Sequence, residues 1–428
     1  MTIFFILVFL VILLLLGLPL FAALGLASIT VLMIFEGSIN SMADTIFASL
    51  NNPLLATIPM FAFMAHVMIK AKVVDDLYDM CNKLVGHIKG GLGFATMLAC
   101  TIFSTISGSS VATALTIGST AIPQMQRFGY RKRDTYGIIA AGGTLGILIP
   151  PSGPMILYAI VSDVSIGALF LAGLLPGLVM AAAFAFYSWF QANRHAETTS
   201  QEQANILEVF ATLRKASWAV MMPPVILGGI YLGVFTAAEA AAIGGVYALF
   251  VALFVYRNVG LRDLADCVFQ TMRTSAMLFM IIAGAGMFGH AVTIIRLPAE
   301  IMEAVTALGL SQAAFLLVVM AAIFVLGMFL ETIAIILITT PIILPALIAL
   351  DVNLVWYGVM LMVNLEMALI TPPVGMNLFV IRGITGAPLF EIMLGALPYV
   401  ALLIAGLFVM WLFPSLSLWL PYAAGFGL

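Results

Sequence analysis

Prolines in the two halves of this chain recur at a fixed distance of 222 residues. The coinciding pairs are Pro123 and Pro345, Pro150 and Pro372, Pro151 and Pro373, and Pro176 and Pro398, while Gly173 coincides with Gly395 and Leu175 with Leu397. Because proline has no backbone N–H and interrupts a helix interior, the repeat predicts two copies of one pattern of helix breaks. Duplicated membrane units place their ion and substrate sites at such breaks.

The composition indicates an all-α polytopic membrane protein. Of the 428 residues, 64% are hydrophobic and 8% are charged, with a mean hydropathy of +1.20, whereas about a quarter of the residues of a soluble domain are charged. The net charge of −3, without runs of like charge, argues against nucleic-acid binding. Cys81, Cys100 and Cys267 have no metal-ligand spacing and are expected to fill apolar space.

The basic residues predict the orientation in the membrane. All sixteen Lys and Arg lie between Lys70 and Arg382, mostly in clusters at 70–89, 127–133, 194–215 and 257–273. The positive-inside rule places these clusters in the cytoplasm. The first apolar segment, 3–35, then becomes one long uncleaved helix with its N-terminus in the cytoplasm, and the C-terminal tail lies outside.

The stretch 91–125 is apolar and has basic residues near both ends, which favours a re-entrant hairpin over a crossing. Its small polar middle, 104–110, suits a hairpin tip, and a broken helix follows at 135–162. The second copy comprises a hairpin at 313–347, opening from the outside, and a broken helix at 353–381. Five crossings separate the starts of the two units, so we expect an inverted repeat.

These assignments divide the chain into five parts. They are an N-terminal scaffold helix with an outer loop (1–52), repeat 1 (53–190), a linker with scaffold helices (191–274), repeat 2 (275–413) and an outer C-terminal tail (414–428). Within the linker, 191–204 is expected to be a solvated connector, and 259–273 an interfacial or loop segment.

Each repeat offers two irregular stretches at membrane depth, a hairpin tip and a Pro–Pro break. Irregular backbone is tolerated there only when it is buried in protein or lines a wet cavity. The breaks leave carbonyl groups without donors near Gly146 and Ile149, and near Ala368 and Thr371. Free carbonyls with hydroxyls suit a hard cation such as Na⁺, and the helix N-termini at the tips suit a carboxylate. The pattern favours a cation site beside an anionic substrate.

Two carboxylates are predicted at membrane depth. Glu331 lies at the tip of the second hairpin, and Glu366 precedes the second break. An ionisable group at this depth indicates function by default. The alternative is structural: a buried carboxyl group that holds the shape of the tip or of the break.

At these motifs the chain resembles the large membrane subunit (DctM-like, M subunit) of tripartite ATP-independent periplasmic, or TRAP, transporters. The resemblance covers essentially the whole chain and rests on SGSSVAT (107–113), GTLGILIPPS (143–152) and LITPPVGMNLFV (369–380). It implies a bacterial inner-membrane secondary transporter that uses a Na⁺ gradient to import an organic acid. It also implies an elevator mechanism, in which a mobile transport domain moves against a scaffold.

The resemblance further implies partners and site residues. The partners are a small four-helix membrane subunit, a periplasmic binding protein that delivers substrate, and membrane lipid. About two Na⁺ sites are implied. One comprises Ser104, Ser107, Gly146, Ile149 and Pro151; the other comprises Gly327, Thr332, Ala368, Thr371 and Met376. The substrate, a sialic acid or a C4-dicarboxylate, is expected near Ser109, Ser110, Glu331 and Asn377.

Three other functions remain open at this stage. The first is a stand-alone Na⁺-coupled carboxylate symporter, which needs no binding protein. The second is an ion channel or exchanger. The third is an intramembrane serine protease using Ser109 or Ser110 with His290, which the expected position of His290 near the outer face disfavours.

Overall fold

The protein is described here from a computed structural model, which describes residues 2–194 and 203–427. Over these ranges the regular secondary structure is entirely helical. Seven helical segments of the described chain are long and apolar enough to cross a membrane, and six shorter helices are also apolar. The predicted all-α polytopic class is confirmed. Residues 195–202 of the predicted solvated connector lie outside the described ranges.

The chain begins with two helices where the sequence predicted one. α1 spans Thr2–Leu15 and α2 spans Leu20–Phe35, so the expectation of one long helix over 3–35 is wrong. The helix breaks because Gly17 has a positive φ of 82° and Pro19 has no N–H to donate. The next elements are α3 (Ser41–Leu50), a 3₁₀ turn (Pro53–Ala56), α4 (Thr57–Lys70) and α5 (Val73–Val85).

The first helix pair and the first interrupted helix follow. α6 (Gly91–Ser107) and α7 (Ser110–Arg127) form hairpin 1, and α8 (Lys132–Leu148) and α9 (Gly153–Ser162) are separated by break 1, residues 149–152. α10 (Ile166–Asn193) completes this part. The tip of hairpin 1 is tight because Gly108 adopts a left-handed conformation and the Ser109 side chain accepts the N–H of Ala112.

The central part differs from the sequence expectation. It contains α11 (Ile206–Val220), α12 (Met222–Tyr231), α13 (Ala237–Phe250) with a π-helical extension (Val251–Tyr256), and α14 (Leu261–Ile294). The segment 259–273, predicted to be interfacial or a loop, is mostly the first part of the 34-residue helix α14. Asp263 in the first turn accepts the Gly260 N–H, which starts this helix.

The second half repeats the order of the first. α15 (Leu297–Ala307) precedes hairpin 2, formed by α16 (Gln312–Gly327) and α17 (Thr332–Ala349). α18 (Leu354–Leu369) and α19 (Met376–Thr385) are separated by break 2, residues 370–375. α20 (Leu389–Leu412) follows, and the predicted tail contains α21 (Ser415–Ala423). α17 and α18 each begin 222 residues after α7 and α8.

α8 and α18 form the centre of the fold. Residues 134–148 of α8 and 355–369 of α18 are buried without exception. α8 packs on α6, α7, α10 and α20, and α18 packs on α16 and α20. α8 and α20 approach backbone to backbone, because the carbonyl of Gly395 faces Gly137 where a side chain would otherwise stand. A second group of helices, α2, α4, α13 and α14, packs together beside this centre.

Polar contacts gather several of the basic clusters at one end of the molecule. Lys70 at the end of α4 pairs with Asp263 at 3.0 Å, and Asn258 donates to the Ala71 carbonyl at 2.8 Å. Lys83 of α5 lies 3.8 Å from Glu208 of α11. Exposed ion pairs of this kind stabilise a fold by less than about 1 kcal/mol each. They show, however, that these basic clusters lie on a common face of the protein.

Candidate functional site

The tip of hairpin 1 packs directly on break 1. A Cβ added at Gly108 would lie 2.6 Å from the Pro151 carbonyl oxygen. A Cβ added at Gly146 would lie 2.7 Å from the carbonyl carbon and oxygen of Ser109. Glycine at both positions therefore permits a backbone-to-backbone contact that no other residue allows.

Oxygen atoms that lack donors lie close to this contact. Ser104 Oγ is buried without a hydrogen-bond partner, one turn before Gly108. Ser107 Oγ lies 2.8 Å from Thr113 Oγ1. The carbonyl of Gly146 has no helical donor, because residue 150 is a proline. A buried hydroxyl and free carbonyls form the type of donor set that a hard cation prefers.

Hairpin 2 contacts break 2 in a related way. The N–H of Val374 in the break donates to the Met328 carbonyl at the hairpin tip, at 3.1 Å. Gly327 faces the methyl group of Ala368 on α18. The predicted members of the second cation group thus share one corner of the fold, although Thr332 and Met376 reach it from the starts of α17 and α19.

One detail of this corner corrects the sequence analysis. The Ala368 carbonyl, expected to be free, accepts the Thr371 N–H at 3.2 Å. The helical donor to this carbonyl would be residue 372, which is a proline without an N–H. The last turn of the helix therefore tightens, and the N–H of Thr371 takes the place of the missing donor. The Leu369 carbonyl, whose donor would have been residue 373, is left without its helical partner. The free carbonyls of break 2 begin one residue later than predicted.

A cavity of about 280 Å³ separates the two hairpin tips. Both tips and break 1 contribute to its wall, Leu369 and Met376 line it on either side of break 2, and residues of α4 and α14 complete it. The predicted site residues in the wall are Ser107, Ser109, Ser110, Pro151, Glu331, Thr332 and Met376. The others, Ser104, Gly146, Ile149, Gly327, Ala368, Thr371 and Asn377, lie outside the wall of the cavity.

Four helices begin at this cavity. Ser110, Thr332, Gly153 and Met376 are the first residues of α7, α17, α9 and α19, and all four line it. The N-terminus of a helix presents free N–H groups and partial positive charge, which favour an anion. Serine side chains cap α7 and α9, whereas α17 and α19 have no side-chain cap. The backbone N–H groups at the starts of α17 and α19 are therefore more available to an anion than those at the starts of α7 and α9.

The charged groups of the cavity wall are few. Among the residues that the structure describes, Glu331 is the only ionisable side chain of the wall, and no Lys, Arg or His lines it. An anion in the cavity must accordingly be held by backbone amides, hydroxyls or a cation. The negative charge of Glu331 requires either a cation or a hydrogen-bond donor close to it.

Asn377, predicted to contact the substrate, is buried behind the cavity. Its amide nitrogen donates to Ser110 Oγ at 2.8 Å and to the Ala140 carbonyl at 3.2 Å, and Ser110 Oγ lies 3.1 Å from its amide oxygen. These contacts tie the start of α19 to hairpin 1 and to α8. In this arrangement Asn377 connects the two halves of the site and does not face the cavity.

The side of the cavity formed by α4 and α14 was missed in the sequence analysis. Ile58 and Phe61 of α4 and Thr274, Met277 and Leu278 of α14 line it. They are mostly apolar residues on ordinary helices, and no motif distinguishes them. His290, considered with Ser109 or Ser110 as a protease pair, is absent from the cavity wall, so the structure does not bring that pair together there.

The sequence of this chain matches known proteins over most of its length. Residues 7–416 match the family model described as "Tripartite ATP-independent periplasmic transporter, DctM component". The chain is 41% identical to the C4-dicarboxylate TRAP transporter large permease protein DctM of Pseudomonas aeruginosa, over 93% of each chain. It is 33% identical to the sialic acid TRAP transporter large permease protein SiaM of Vibrio cholerae, over 90% of each chain.

A solved structure shares the fold. The YdaH transporter of Alcanivorax borkumensis superimposes with a TM-score of 0.65 at 12% sequence identity, covering 90% of this chain and 88% of that one. At this identity the likeness concerns the arrangement of the helices alone.

Proposed function

The chain belongs to the DctM family of TRAP transporters, and we propose that it is the membrane subunit that imports an organic acid by Na⁺-coupled secondary transport. The observation that carries the proposal is the cavity at which four helices begin, two from the hairpins and two from the broken helices. Such a cavity attracts a carboxylate without any basic side chain. Its walls belong to two groups of helices, which suits alternating access by an elevator movement of one group against the other.

Two Na⁺ ions supply the coupling in this proposal. The first is held at hairpin 1 and break 1 by Ser104, Ser107, Gly146, Ile149 and Pro151. The second is held at hairpin 2 and break 2 by Gly327, Thr332, Ala368, Thr371 and Met376. The unpartnered Ser104 hydroxyl and the Gly146 carbonyl freed by Pro150 support the first group. The Leu369 carbonyl freed by Pro373, next to Ala368, supports the second. Bound Na⁺ places positive charge beside a cavity that otherwise has none, so ion and substrate binding favour each other.

The cavity and the relatives support the proposed substrate class. A C4-dicarboxylate or a sialic acid meets the amides at the starts of α17 and α19 through a carboxylate. Glu331 accepts a hydrogen bond from a hydroxyl or amide of the substrate, or it balances a cation. A small membrane subunit and a periplasmic binding protein complete the transporter, in keeping with the tripartite family. The chain lies in the bacterial inner membrane, with its N-terminus in the cytoplasm and its C-terminus in the periplasm.

The repeat is proposed to be inverted, and cysteine labelling tests this. Lys132 at the start of α8 and Asp351 before α18 occupy related loops and are exposed. With Cys81, Cys100 and Cys267 replaced by alanine, an impermeant maleimide should label Lys132→Cys only from the cytoplasm. It should label Asp351→Cys only from the periplasm. Labelling of both from one side, in right-side-out and inverted vesicles, would show that the two units run parallel.

Uptake into proteoliposomes tests the function as a whole. The chain and its small subunit are reconstituted, and labelled succinate and sialic acid are offered with an inward Na⁺ gradient. Uptake of one of them should require both Na⁺ and the cognate binding protein. Na⁺-driven uptake without the binding protein would identify a stand-alone symporter. Flux of Na⁺ that needs no organic acid would identify a channel or exchanger.

A further inference from the structure

The side of the cavity formed by α4 and α14 contains one polar residue. Ile58 and Phe61 of α4 and Met277 and Leu278 of α14 make this side apolar. Thr274 of α14 lies among them and is half-buried. Outside the two hairpin tips, it is the only hydroxyl-bearing or charged residue in the described wall of the cavity. A largely apolar pocket takes its specificity from such isolated polar groups.

Thr274 differs from the other threonines of α14 in its hydrogen bonding. Thr271 Oγ1 donates to the Cys267 carbonyl at 2.7 Å, and Thr293 Oγ1 donates to the Gly289 carbonyl at 2.8 Å. A bond of this kind to the preceding turn is common for a threonine within a helix. Across the part of the chain that the structure describes, Thr274 Oγ1 makes no hydrogen bond. Its hydroxyl is therefore free to donate to and accept from a molecule in the cavity.

The other hydroxyl groups of the cavity wall already have a partner or an assigned role. The three serines at the tip of hairpin 1 are hydrogen-bonded within the protein, namely Ser107 to Thr113, Ser109 to Ala112 and Ser110 to Asn377. Thr332 is a member of the second proposed Na⁺ group. Thr274 has neither a protein partner nor an assigned ion, so its hydroxyl is left for the substrate.

Neighbouring contacts hold Thr274 in place. Thr271, one turn earlier on the same face of α14, has its Oγ1 3.1 Å from Nδ1 of His66 on α4. Further along α14, a Cβ added at Gly284 would lie 2.9 Å from the carbonyl oxygen of Phe21 on α2. α14 is thus fixed against α4 and α2 on either side of Thr274. A ligand that bonds to this hydroxyl meets a group whose position is already set.

The surroundings of Thr274 suit an uncharged part of the substrate. A carboxylate placed here would have one hydroxyl as its polar neighbour among apolar side chains, and burying a charge with so few partners is unfavourable. The N–H groups at the starts of α17 and α19 offer a carboxylate a better place. A hydroxyl group of the substrate, in contrast, can exchange one hydrogen bond with Thr274 and needs no charge beside it.

We propose that Thr274 contacts the substrate directly and hydrogen-bonds an uncharged hydroxyl group of it, while the substrate carboxylate lies at the hairpin tips. The inference deepens the proposed function and depends on it. It follows that the membrane subunit itself distinguishes a hydroxylated organic acid from the same acid without that hydroxyl. A hydrogen bond between uncharged groups changes affinity by roughly two- to tenfold.

Binding to the membrane part alone tests this inference. The chain and its small subunit are placed in nanodiscs at saturating Na⁺, without the binding protein, whose own selectivity would otherwise be measured. Dissociation constants are determined for malate and succinate, which differ by one hydroxyl, and for sialic acid and its single-deoxy analogues. The wild type should bind the hydroxylated member of one such pair about fivefold more tightly. Thr274→Val should lose this preference by weakening that member alone, and Thr274→Ser should keep it.

Two controls separate a substrate contact from other roles of Thr274. Thr293→Val makes the same change at an exposed position of α14 and should bind like the wild type. The half-saturating Na⁺ concentration of Thr274→Val should be unchanged, because Thr274 belongs to neither Na⁺ group. A raised value would assign Thr274 to an ion. Equal weakening of both members of a pair would assign it a structural role, and either result overturns the inference.

The outcomes also separate this inference from the proposed function. If the wild type binds none of these acids, the proposed substrate class is wrong and the contact is wrong with it. If the wild type binds them without the preference, or Thr274→Val keeps the preference, the contact is overturned while the proposed function stands. Should Thr274→Val fail to fold, Thr274→Ala also removes the hydroxyl and takes its place in the test.

Discussion

Gly146→Ala should reduce Na⁺-driven uptake by roughly a hundredfold while leaving a folded protein in the membrane. The added methyl group would stand 2.7 Å from the carbonyl carbon and oxygen of Ser109 and 2.9 Å from the Ser110 nitrogen. All three are backbone atoms, so no side-chain rotation can relieve the contact. The tip of hairpin 1 must move away from break 1, and both the Na⁺ group and the start of α7 lose their geometry.

The free-energy cost of Gly146→Ala is too small to unfold the protein, so the substitution should affect function. Alanine in a helix interior is about 1 kcal/mol more favourable than glycine, whereas overpacking of a close contact costs about 1–3 kcal/mol. The net loss is small for a protein of this size. A displacement of the tip by about 1 Å is, in contrast, enough to disrupt an aligned binding site. Expression should therefore remain near normal while uptake is lost.

Gly383→Ala on α19 is the matched control for this substitution. Gly383 is exposed, and no atom outside its own helical surroundings lies within 4 Å of an added Cβ. The same chemical change should leave both uptake and thermal stability close to those of the wild type. Uptake by Gly146→Ala at the wild-type rate would contradict the close packing of the tip on the break.

The two Pro–Pro breaks and the tip of hairpin 1 could be predicted because they depend on local chemistry, although the break at Gly17 and Pro19, which is equally local, was not. Proline has no N–H in any context, so Pro150–Pro151 and Pro372–Pro373 mark the ends of α8 and α18 directly. The glycine and serines at the tip of hairpin 1 favour a turn for equally local reasons. The position of each break along the chain therefore needed no knowledge of what packs around it.

The part of the cavity wall formed by α4 and α14 depends on packing and could not be predicted in that way. Ile58, Phe61 and Met277 look like any other apolar residues of a membrane helix, and only the packing of α4 beside α14 places them at the cavity. The surroundings of Asn377 depend on packing in the same way. Its polarity indicated a substrate contact, but its bonds to Ser110 and Ala140 satisfy it behind the cavity wall.

Charge misled the assignment of α14. The acidic and basic residues at 262–273 suggested a loop or an interfacial segment, yet they lie on the first turns of a continuous helix. The helix tolerates them because Asp263 caps its start and pairs with Lys70 of α4. Charged residues at a helix end indicate where the helix leaves the membrane, and they do not show where the helix itself ends.

Glu331→Gln should abolish measurable uptake, with a loss of at least about a hundredfold. Of the described residues, Glu331 is the only ionisable one in the cavity wall. It precedes the first residue of α17, and its side chain makes no capping hydrogen bond there. A charge contact near 4 Å is worth about 4 kcal/mol at an effective dielectric constant of about 20. Each 1.4 kcal/mol or so corresponds to a factor of ten. Glu331 is exposed, so solvent screens part of this contribution. A hundredfold loss requires about 2.8 kcal/mol of it.

Two substitutions separate the charge of Glu331 from its shape. Gln keeps the length of the side chain but removes the charge, and Asp keeps the charge but withdraws it by one methylene group. If Glu331 balances a cation, Glu331→Asp should transport with a raised half-saturating Na⁺ concentration, and its KM for substrate at saturating Na⁺ should be unchanged. If it accepts a hydrogen bond from the substrate, the KM should rise while the Na⁺ dependence stays the same.

The alternative to both roles is that Glu331 only shapes the hairpin tip. Glu303→Gln, an exposed carboxylate on α15, is the control for loss of charge at a distance from the cavity. A purely structural Glu331 should lower the thermal stability of Glu331→Gln and leave the uptake per folded molecule near the wild-type value. Because an anionic substrate and a carboxylate share a cavity that no basic side chain lines, we expect the opposite: normal stability and no transport.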